Sequence, residues 1–240
     1  MDCTFLHGWG MTNHVWEDFS RKFNCFNKIF APCLYDTSFR SKDVSFDSTA
    51  KTLSDAITKD SVLVAWSVGG LIALKAATFS SKIRAIIFIA SSPCFTNQDN
   101  WPNVISQDDL EGLKEKLSSN YTGALKYFTG LIAYGDIHPS STAKYIRQYM
   151  AREKNKQILN SWLNEIETID FRKELASINI PCHFIYGRND VLVKIKINKQ
   201  IQKLNSDFCI SIINNCGHAA FISQPEDTYN RISKFLNERI

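Results

Sequence analysis

The run Val-Leu-Val-Ala-Trp-Ser-Val-Gly-Gly at positions 62–70 decides the fold of this chain. Its leading aliphatic residues are typical of a buried strand, and a helix-forming stretch follows over 71–77. Two small residues, Ala65 and Gly69, stand two places before and after Ser67, as a strained strand-to-helix turn requires. The pattern predicts a nucleophile elbow that presents the Ser67 hydroxyl for acyl transfer, most simply ester hydrolysis. An ordinary strand-to-helix turn is the alternative.

The composition is that of an ordinary soluble chain. Its 240 residues, 44% hydrophobic and 22% charged, suffice for one sizeable domain or a domain with a large insertion. No apolar run reaches the ~18 residues of a membrane span, and the N-terminus lacks the pattern of a secretory signal. A net charge of +4 is too small to indicate nucleic acid. We therefore expect a cytoplasmic protein without a membrane or nucleic-acid partner.

Cysteine and histidine usage bears on redox state and metals. The seven cysteines are odd in number and include no Cys-x-x-Cys pair, so we interpret them as reduced thiols in or near the core. His14, His138 and His183 have no ligand-like spacing. The sequence thus predicts neither a metal nor another cofactor.

Apolar strand-like runs alternate with helix-like stretches, which predicts a mostly parallel sheet with helices on both faces. The predicted strands are 3–6, 29–34, 61–65, 83–90, 182–186 and 208–213. The predicted helices are 15–23, 48–57, 70–79, 196–204 and 225–237.

The alternation stops between the fourth and fifth strands. Residues 97–171 there have the pattern of several helices without a strand. We interpret this segment as a helical cap, not an independent domain, inserted into a core made of residues 1–96 and 172–240. It should cover the carboxyl ends of the strands, where ligands bind in open α/β sheets.

Two further polar residues follow strands, Asp190 after the fifth and His218 after the sixth. Each alone has an ordinary explanation, a turn aspartate or an incidental loop histidine. Together with Ser67 they give the order Ser, Asp, His at strand ends, which is that of the α/β-hydrolase fold. His218 would take the proton of Ser67, and Asp190 would orient and stabilise the imidazole.

An oxyanion hole needs two N–H donors. In this fold one is the residue after the nucleophile, here Val68, and the other comes from the loop after the first strand, Leu-His-Gly-Trp-Gly, where we assign Trp9. We expect His7 in that loop to hold the backbone in place by hydrogen bonds.

Five stretches resemble the BioH family, the pimeloyl-[acyl-carrier protein] methyl ester esterases of biotin synthesis. They are residues 5–11, 66–71, 90–95, 100–102 (Asn100-Trp101-Pro102) and 216–223, and the resemblance runs from residue 3 to the C-terminus. Two features depart from the family: Ala65 replaces the usual glycine, and the chain starts almost directly at the strand before the oxyanion loop. We therefore expect N-terminal edge strands to be missing from the sheet.

The resemblance implies hydrolysis of the methyl ester of pimeloyl-acyl-carrier protein by a monomeric enzyme. It also implies a set of substrate-contacting residues: Trp9, Trp66, Ser67, Val68, Phe128, Leu131, Ile132 and His218. The three cap residues among them, Phe128, Leu131 and Ile132, could equally be ordinary helix core. The carrier protein is acidic, so a basic docking face is expected, and we assign it to Lys126, Lys144, Arg147 and Arg152. We expect Lys144, Arg147 and Lys154 on one side of a helix; a solvated helix face is the alternative.

Other functions share the triad. A general short-chain carboxylesterase is the main alternative, and a thioesterase, lactonase or C–C bond hydrolase remains open for the same reason. Haloalkane dehalogenases and epoxide hydrolases carry Asp where this chain has Ser67. A non-catalytic lipid- or hormone-binding relative is the alternative from another class.

Overall fold

The strand that leads into the elbow, β3 (Ser61–Trp66), lies in the middle of a six-stranded sheet and is buried along its whole length. In the computed structural model, which describes residues 1–36, 39, 43–96, 101–102 and 104–240, the strand order is β2-β1-β3-β4-β5-β6. All five strand pairs are parallel. The predicted α/β fold class is confirmed.

The six strands follow the predicted positions closely, with one exception. Their bounds are β1 Asp2–Leu6, β2 Ile29–Phe30, β3 Ser61–Trp66, β4 Ile83–Ile89, β5 Cys182–Gly187 and β6 Cys209–Ile213. The second strand was predicted over 29–34 but has only two residues, because it is an exposed edge strand. The chain then turns at Leu34 and Tyr35, which are buried.

Eleven α-helices are found in the described part of the chain. Their bounds are α1 Glu17–Ser20, α2 Phe46–Ala56, α3 Gly69–Phe79, α4 Gln107–Ser119, α5 Tyr121–Ala133, α6 Pro139–Arg147, α7 Lys156–Thr168, α8 Arg172–Ser177, α9 Asn198–Leu204, α10 Ala220–Ser223 and α11 Pro225–Arg239. Short 3-10 helices occupy Asn13–Trp16, Glu153–Asn155 and Ile195–Ile197.

Two predicted helices start or end differently. The helix predicted over 15–23 is a 3-10 turn followed by α1, because after Ser20 the N–H groups of Lys22 and Phe23 bond three residues back. The helix predicted over 196–204 likewise begins with a 3-10 turn and becomes α9 at Asn198.

Helices α4 to α7 form the cap that we propose to span residues 97–171, of which 97–100 and 103 lie outside the described residues. Side-chain hydrogen bonds satisfy a free N–H in the first turn of two of these helices. Ser106 Oγ accepts the N–H of Asp109 at 3.2 Å, and Asn120 Oδ1 accepts the N–H of Gly123 at 2.8 Å.

Hydrogen bonds tie the cap to the core, in keeping with a cap that is not independent. The indole N–H of Trp162 donates to Val44 O at 2.7 Å, and Glu165 Oε2 accepts the N–H of Phe46 at 2.9 Å. Backbone bonds add to these, such as Ala151 N to Gly10 O at 2.8 Å. Within the described ranges, no helix combines the length and apolar character needed to cross a membrane.

The first turn of α3 allows no side chain at Gly69, which gives a stability prediction. A Cβ there would lie 2.8 Å from the carbonyl oxygens of Leu6 and His7. We expect Gly69→Ala to lower the free energy of unfolding by roughly 1–3 kcal/mol, since backbone cannot yield easily. The control is Gly112→Ala in α4, where a Cβ meets nothing within 4 Å. It should raise stability by roughly 0.5–1 kcal/mol. Urea unfolding of both variants measures this, and equal effects would contradict it.

Candidate active site

Ser67 sits in the strained conformation that an elbow requires. Its φ is 55°, in the left-handed region that costs a non-glycine residue roughly 1–2 kcal/mol. Its N–H donates to Ile89 O at 2.9 Å, and its carbonyl accepts the Ser91 hydroxyl at 2.7 Å. These bonds hold the turn and leave the Ser67 hydroxyl at the carboxyl end of the sheet.

Small residues allow the elbow to pack. Beyond Gly69, a Cβ at Gly70 would lie only 2.1 Å from Ser91 Oγ. Ala65, the departure from the family pattern, is fully buried inside the sheet, where it is in register with Leu6 and Phe88. The described strand thus accommodates its methyl group without a break in pairing.

Asp190 and His218 form a buried pair. Asp190 Oδ2 accepts the Nδ1–H of His218 at 2.8 Å. Asp190 Oδ1 accepts the N–H groups of Leu192 at 2.8 Å and Val193 at 3.1 Å, so both carboxylate oxygens are satisfied. Because Nδ1 carries a proton in this bond, Nε2 is the free nitrogen that can act as a base.

The hydroxyl of Ser67 and the imidazole of His218 border the same apolar cavity, the inner cavity. His218 Nε2 is buried and makes no hydrogen bond, so the Ser67–His218 bond is not formed in this state. Such bonds are often loose in enzymes without substrate. The volume of the inner cavity is about 20 Å³, room for one water-sized group.

The loop after β1 is fixed by two buried side chains. His7 Nε2 accepts the N–H of Leu34 at 2.9 Å, so its Nδ1 carries the proton and donates to Gly8 O at 3.0 Å. Burial lowers the pKa of His7 to about 4, which keeps it neutral. The Tyr35 hydroxyl accepts the N–H of Gly10 at 2.9 Å. His7 therefore has the structural role that the sequence predicts.

The backbone N–H groups of Trp9 and Val68 both border the elbow. Within the described residues neither N–H donates a hydrogen bond to another group of the chain. Val68 immediately precedes α3, so its N–H also lies at the positive end of the helix dipole. The indole of Trp9 is held away from this role, because its Nε1–H donates to Leu159 O at 3.0 Å.

A second, outer cavity adjoins the inner one. Its volume is about 290 Å³, and the side chains of four residues border both cavities: Ile105, Leu113, Phe128 and Leu192. Phe128 packs edge-on against Trp9, with ring centroids 4.9 Å apart. These apolar side chains separate the elbow from the larger space.

The predicted substrate-contacting residues lie at different places relative to the two cavities. Phe128 borders both cavities and Leu131 the outer one, but Trp66 and Ile132 border neither. The Trp66 indole N–H donates to His218 O at 2.9 Å, and Ile132 O accepts the N–H of His218 at 3.1 Å. Both residues hold the backbone of His218 and do not face the cavities.

The predicted basic set is also changed by the structure. Lys154 is not on α6 with Lys144 and Arg147, because that helix ends at Arg147 and Lys154 lies in a separate 3-10 turn. Arg147 Nε donates to Thr129 Oγ1 at 3.2 Å and so connects α6 to α5. The other three members are exposed, and none has a described carboxylate within 4.0 Å: Lys126, Lys144 and Arg152.

Several supporting residues could not be found by the sequence patterns. Tyr35 and Ser91 hold the oxyanion loop and the elbow, and Asp136 and Asn189 connect the cap to the loops of His218 and Asp190. The local sequence signal for that place is Gly135, a glycine two residues after the end of α5. Over the described ranges no group of three or more His, Cys, Asp or Glu suits a metal ion.

Known proteins share both sequence and fold with this chain. The family model of the alpha/beta hydrolase fold matches residues 5–225. The chain belongs to this family. Curated pimeloyl-[acyl-carrier protein] methyl ester esterases match it too, at 30% identity in Wigglesworthia glossinidia brevipalpis (94% of this chain, 89% of that protein). One from Aliivibrio fischeri strain MJ11 is 29% identical (99% of this chain, 94% of that protein).

The expected membership in the BioH family of esterases is thereby confirmed, and the chain is a carboxylic ester hydrolase. Among solved structures, an esterase from Exiguobacterium antarcticum superimposes with a TM-score of 0.85. That match covers 99% of this chain and 92% of the esterase at 16% identity, so it supports the fold alone.

The buried neutral His7 predicts a loss of stability in acid. Its pKa is lowered by burial from 6.5 to about 4, so the unfolded chain binds the extra proton between these values. Stability is therefore lost as pH falls below 6.5, by about 1 kcal/mol per pH unit from this residue. His7→Gln should reduce that slope in urea unfolding at pH 5 to 6.5. The exposed control His138→Gln should not, and an unchanged slope in His7→Gln would contradict the assignment.

Proposed function

We propose that this protein hydrolyses the methyl ester of pimeloyl-acyl-carrier protein, releasing methanol and the free carboxylate for biotin synthesis. One observation carries the proposal: the Asp190–His218 pair leaves His218 Nε2 free in an apolar cavity that Ser67 also borders. The curated relatives that are named for this activity match nearly the whole chain.

In the proposed mechanism Ser67 Oγ attacks the ester carbonyl carbon while His218 Nε2 accepts the hydroxyl proton. The C–O bond to the methoxy group then breaks, and Nε2 returns the proton to that oxygen, which leaves as methanol. Water attacks the acyl-enzyme in the same way, gives its proton to Nε2, and releases the acid as Ser67 is reprotonated. Asp190 stabilises the imidazolium in both halves.

The oxyanion formed in each step would accept hydrogen bonds from the N–H groups of Trp9 and Val68. Neither N–H donates to another group of the described residues, so both are available to an anion. Loss of one such donor typically costs about 2.7–4 kcal/mol of transition-state stabilisation.

The acyl chain has to pass the wall between the cavities. An inner cavity of about 20 Å³ cannot hold a seven-carbon chain, whereas the adjoining outer cavity of about 290 Å³ is large enough for much of one. We propose that Phe128 moves from Trp9 when substrate binds, and that the chain then runs from Ser67 past Leu131 toward the carrier protein. The same small inner cavity favours short acyl groups, so a general short-chain carboxylesterase is the second candidate.

The carrier protein would dock on the cap through Lys126, Lys144 and Arg152, whose charges are exposed and not paired with described carboxylates. Arg147 would act mainly by joining α6 to α5. We propose that the enzyme is a monomer and that it acts in the cytoplasm. Its seven cysteines are free thiols, which a reducing compartment favours.

The role of Ser67 is tested by Ser67→Ala. We expect the variant to fold and to lose esterase activity on p-nitrophenyl acetate and on methyl pimeloyl-carrier protein, since loss of a catalytic serine costs on the order of a millionfold in kcat. The matched control is Ser61→Ala at the start of the same strand, which should stay active. More than one per cent of wild-type kcat in folded Ser67→Ala would refute the nucleophile.

The docking surface is tested by charge reversal. We expect Lys126→Glu/Lys144→Glu/Arg152→Glu to lower kcat/KM for the carrier-bound ester on the order of tenfold at low salt, and less at high salt. Turnover of p-nitrophenyl acetate should change less than about twofold, since these charges steer association.

The control variant for docking makes the same charge change at the opposite end of the sheet. Exposed lysines lie just before three strands there: Lys28, Lys59 and Lys82. Their reversal to Glu should leave both substrates unaffected. Equal losses with both triple variants would mean that net charge, and not this surface, matters. A loss with Lys194→Glu alone, at the outer cavity, would place docking there instead.

A further inference from the structure

The turn between α5 and α6, residues 134–136, is here called the cap turn, and it contacts both loops that carry the candidate base. Gly217 N–H donates to Asp136 Oδ1 at 2.6 Å, directly before His218. Asn189, directly before Asp190, donates its side-chain N–H to Gly135 O at 2.8 Å. One short segment of the cap thus hydrogen-bonds to both loops.

Glycines allow these three segments to approach at backbone distance. A Cβ at Gly217 would lie 2.4 Å from Tyr134 O, and a Cβ at Gly187 would lie 1.9 Å from Gly217 O. Gly135 has a φ of +87°, and a Cβ there would lie 2.5 Å from Asn189 Cβ. The relative position of the cap turn and the two loops is therefore fixed by backbone contact.

The acceptor of the Gly217 N–H, Asp136, is a buried carboxyl. The residue is 8% exposed, and burial raises the pKa of its carboxyl. The Gly217 N–H and the hydroxyls of Thr142 and Ser223 lower that pKa, while the negative charge of Asp190 raises it. The short hydrogen bond of Asp136 goes to the backbone directly before His218, so loss of the acceptor would leave that N–H unpaired beside the candidate base.

Three backbone polar groups at residues 217–218 are hydrogen-bonded. The N–H of His218 donates to Ile132 O at 3.1 Å, its carbonyl accepts the Trp66 indole N–H at 2.9 Å, and the preceding N–H goes to Asp136. Of the two ring nitrogens, Nδ1 is bonded to Asp190, and Nε2 has no hydrogen-bond partner among the described residues. The direction in which Nε2 points therefore depends on how the backbone at residues 217–218 is held.

We propose that Asp136 is a positioning residue for the esterase reaction: from the cap it fixes the Gly217 N–H, and through it the placement of His218 Nε2 against Ser67. The proposal rests on the proposed role of His218 as the base. Asp136 does not touch the reacting atoms, so its effect is expected in kcat and not in substrate affinity.

The test compares Asp136→Leu with Asp136→Asn on p-nitrophenyl acetate. Leu removes the acceptor, and we expect kcat to fall at least tenfold while KM changes less than twofold. Asn keeps an acceptor oxygen, so kcat should stay within about threefold of wild type. If Asp136→Leu does not fold, Asp136→Ala removes the acceptor without added bulk and takes its place.

A matched control separates positioning from general support of the cap. Glu165 is another cap carboxylate that accepts a core backbone N–H, that of Phe46 at 2.9 Å. Glu165→Leu should lower the thermal unfolding temperature as Asp136→Leu does but leave kcat within twofold. Equal falls in kcat in both variants would overturn the positioning role, as would a wild-type kcat in folded Asp136→Leu.

Proton NMR of His218 provides a readout that a loss of folding stability alone does not change. The Nδ1–H of His218, bonded to Asp190, should give a low-field resonance that shifts or broadens in Asp136→Leu and not in Glu165→Leu. An unmoved resonance in Asp136→Leu would overturn the proposal. His218→Ala separates failure of the proposed function from failure of the positioning role. If His218→Ala stays active, the proposed function fails. If it is inactive while Asp136→Leu keeps wild-type kcat, only the positioning role fails.

Discussion

Backbone-to-backbone contact at the carboxyl end of the sheet is the constraint on which the candidate site depends. At the elbow, Gly69 approaches the carbonyl oxygens of Leu6 and His7, and across the sheet Gly187 approaches Gly217. Contacts of this kind leave little freedom, because peptide groups cannot change rotamer as side chains do. They hold the elbow against the oxyanion loop and the Asp190 loop against the His218 loop. The positive φ of Ser67 persists because these contacts determine the turn from both sides.

The cap and the core are joined unevenly, and this bears on how substrate enters. Polar bonds join the cap to the core at the cap turn, at α7 and at the segment after α6, where Ala151 N–H donates to Gly10 O. The wall between the two cavities is instead made of apolar side chains such as Leu113 and Phe128, which can change rotamer without leaving a polar group unsatisfied. We therefore expect access to Ser67 to require movement at the apolar wall, while the cap turn stays on the loops of Asp190 and His218.

The sequence predicted the sheet and the placement of Ser67, Asp190 and His218 at strand ends, because periodicity and turn residues are local signals. It overestimated the second strand, because an apolar run does not reveal that the sheet ends there. The family resemblance puts Trp66 in the predicted substrate set. A buried indole N–H needs an acceptor, however, and that acceptor, His218 O, lies 152 positions away in the chain. Ile132, which the resemblance also implies, borders neither cavity, and its carbonyl accepts the N–H of His218 from a distant part of the chain.

The two buried carboxylates near His218 differ in a way that separates their roles. Asp190 has all its bonds on both oxygens, from two N–H groups and the imidazole, so its negative charge is compensated before substrate arrives. Asp136 has one short bond to a backbone N–H, and its other polar neighbours are the hydroxyls of Thr142 and Ser223. A hydrogen bond to a charged group contributes roughly 1.5–3 kcal/mol, more than a neutral one. The bond of Asp136 to Gly217 N therefore fixes one point of the backbone next to the candidate base, whereas Asp190 acts on the imidazole itself.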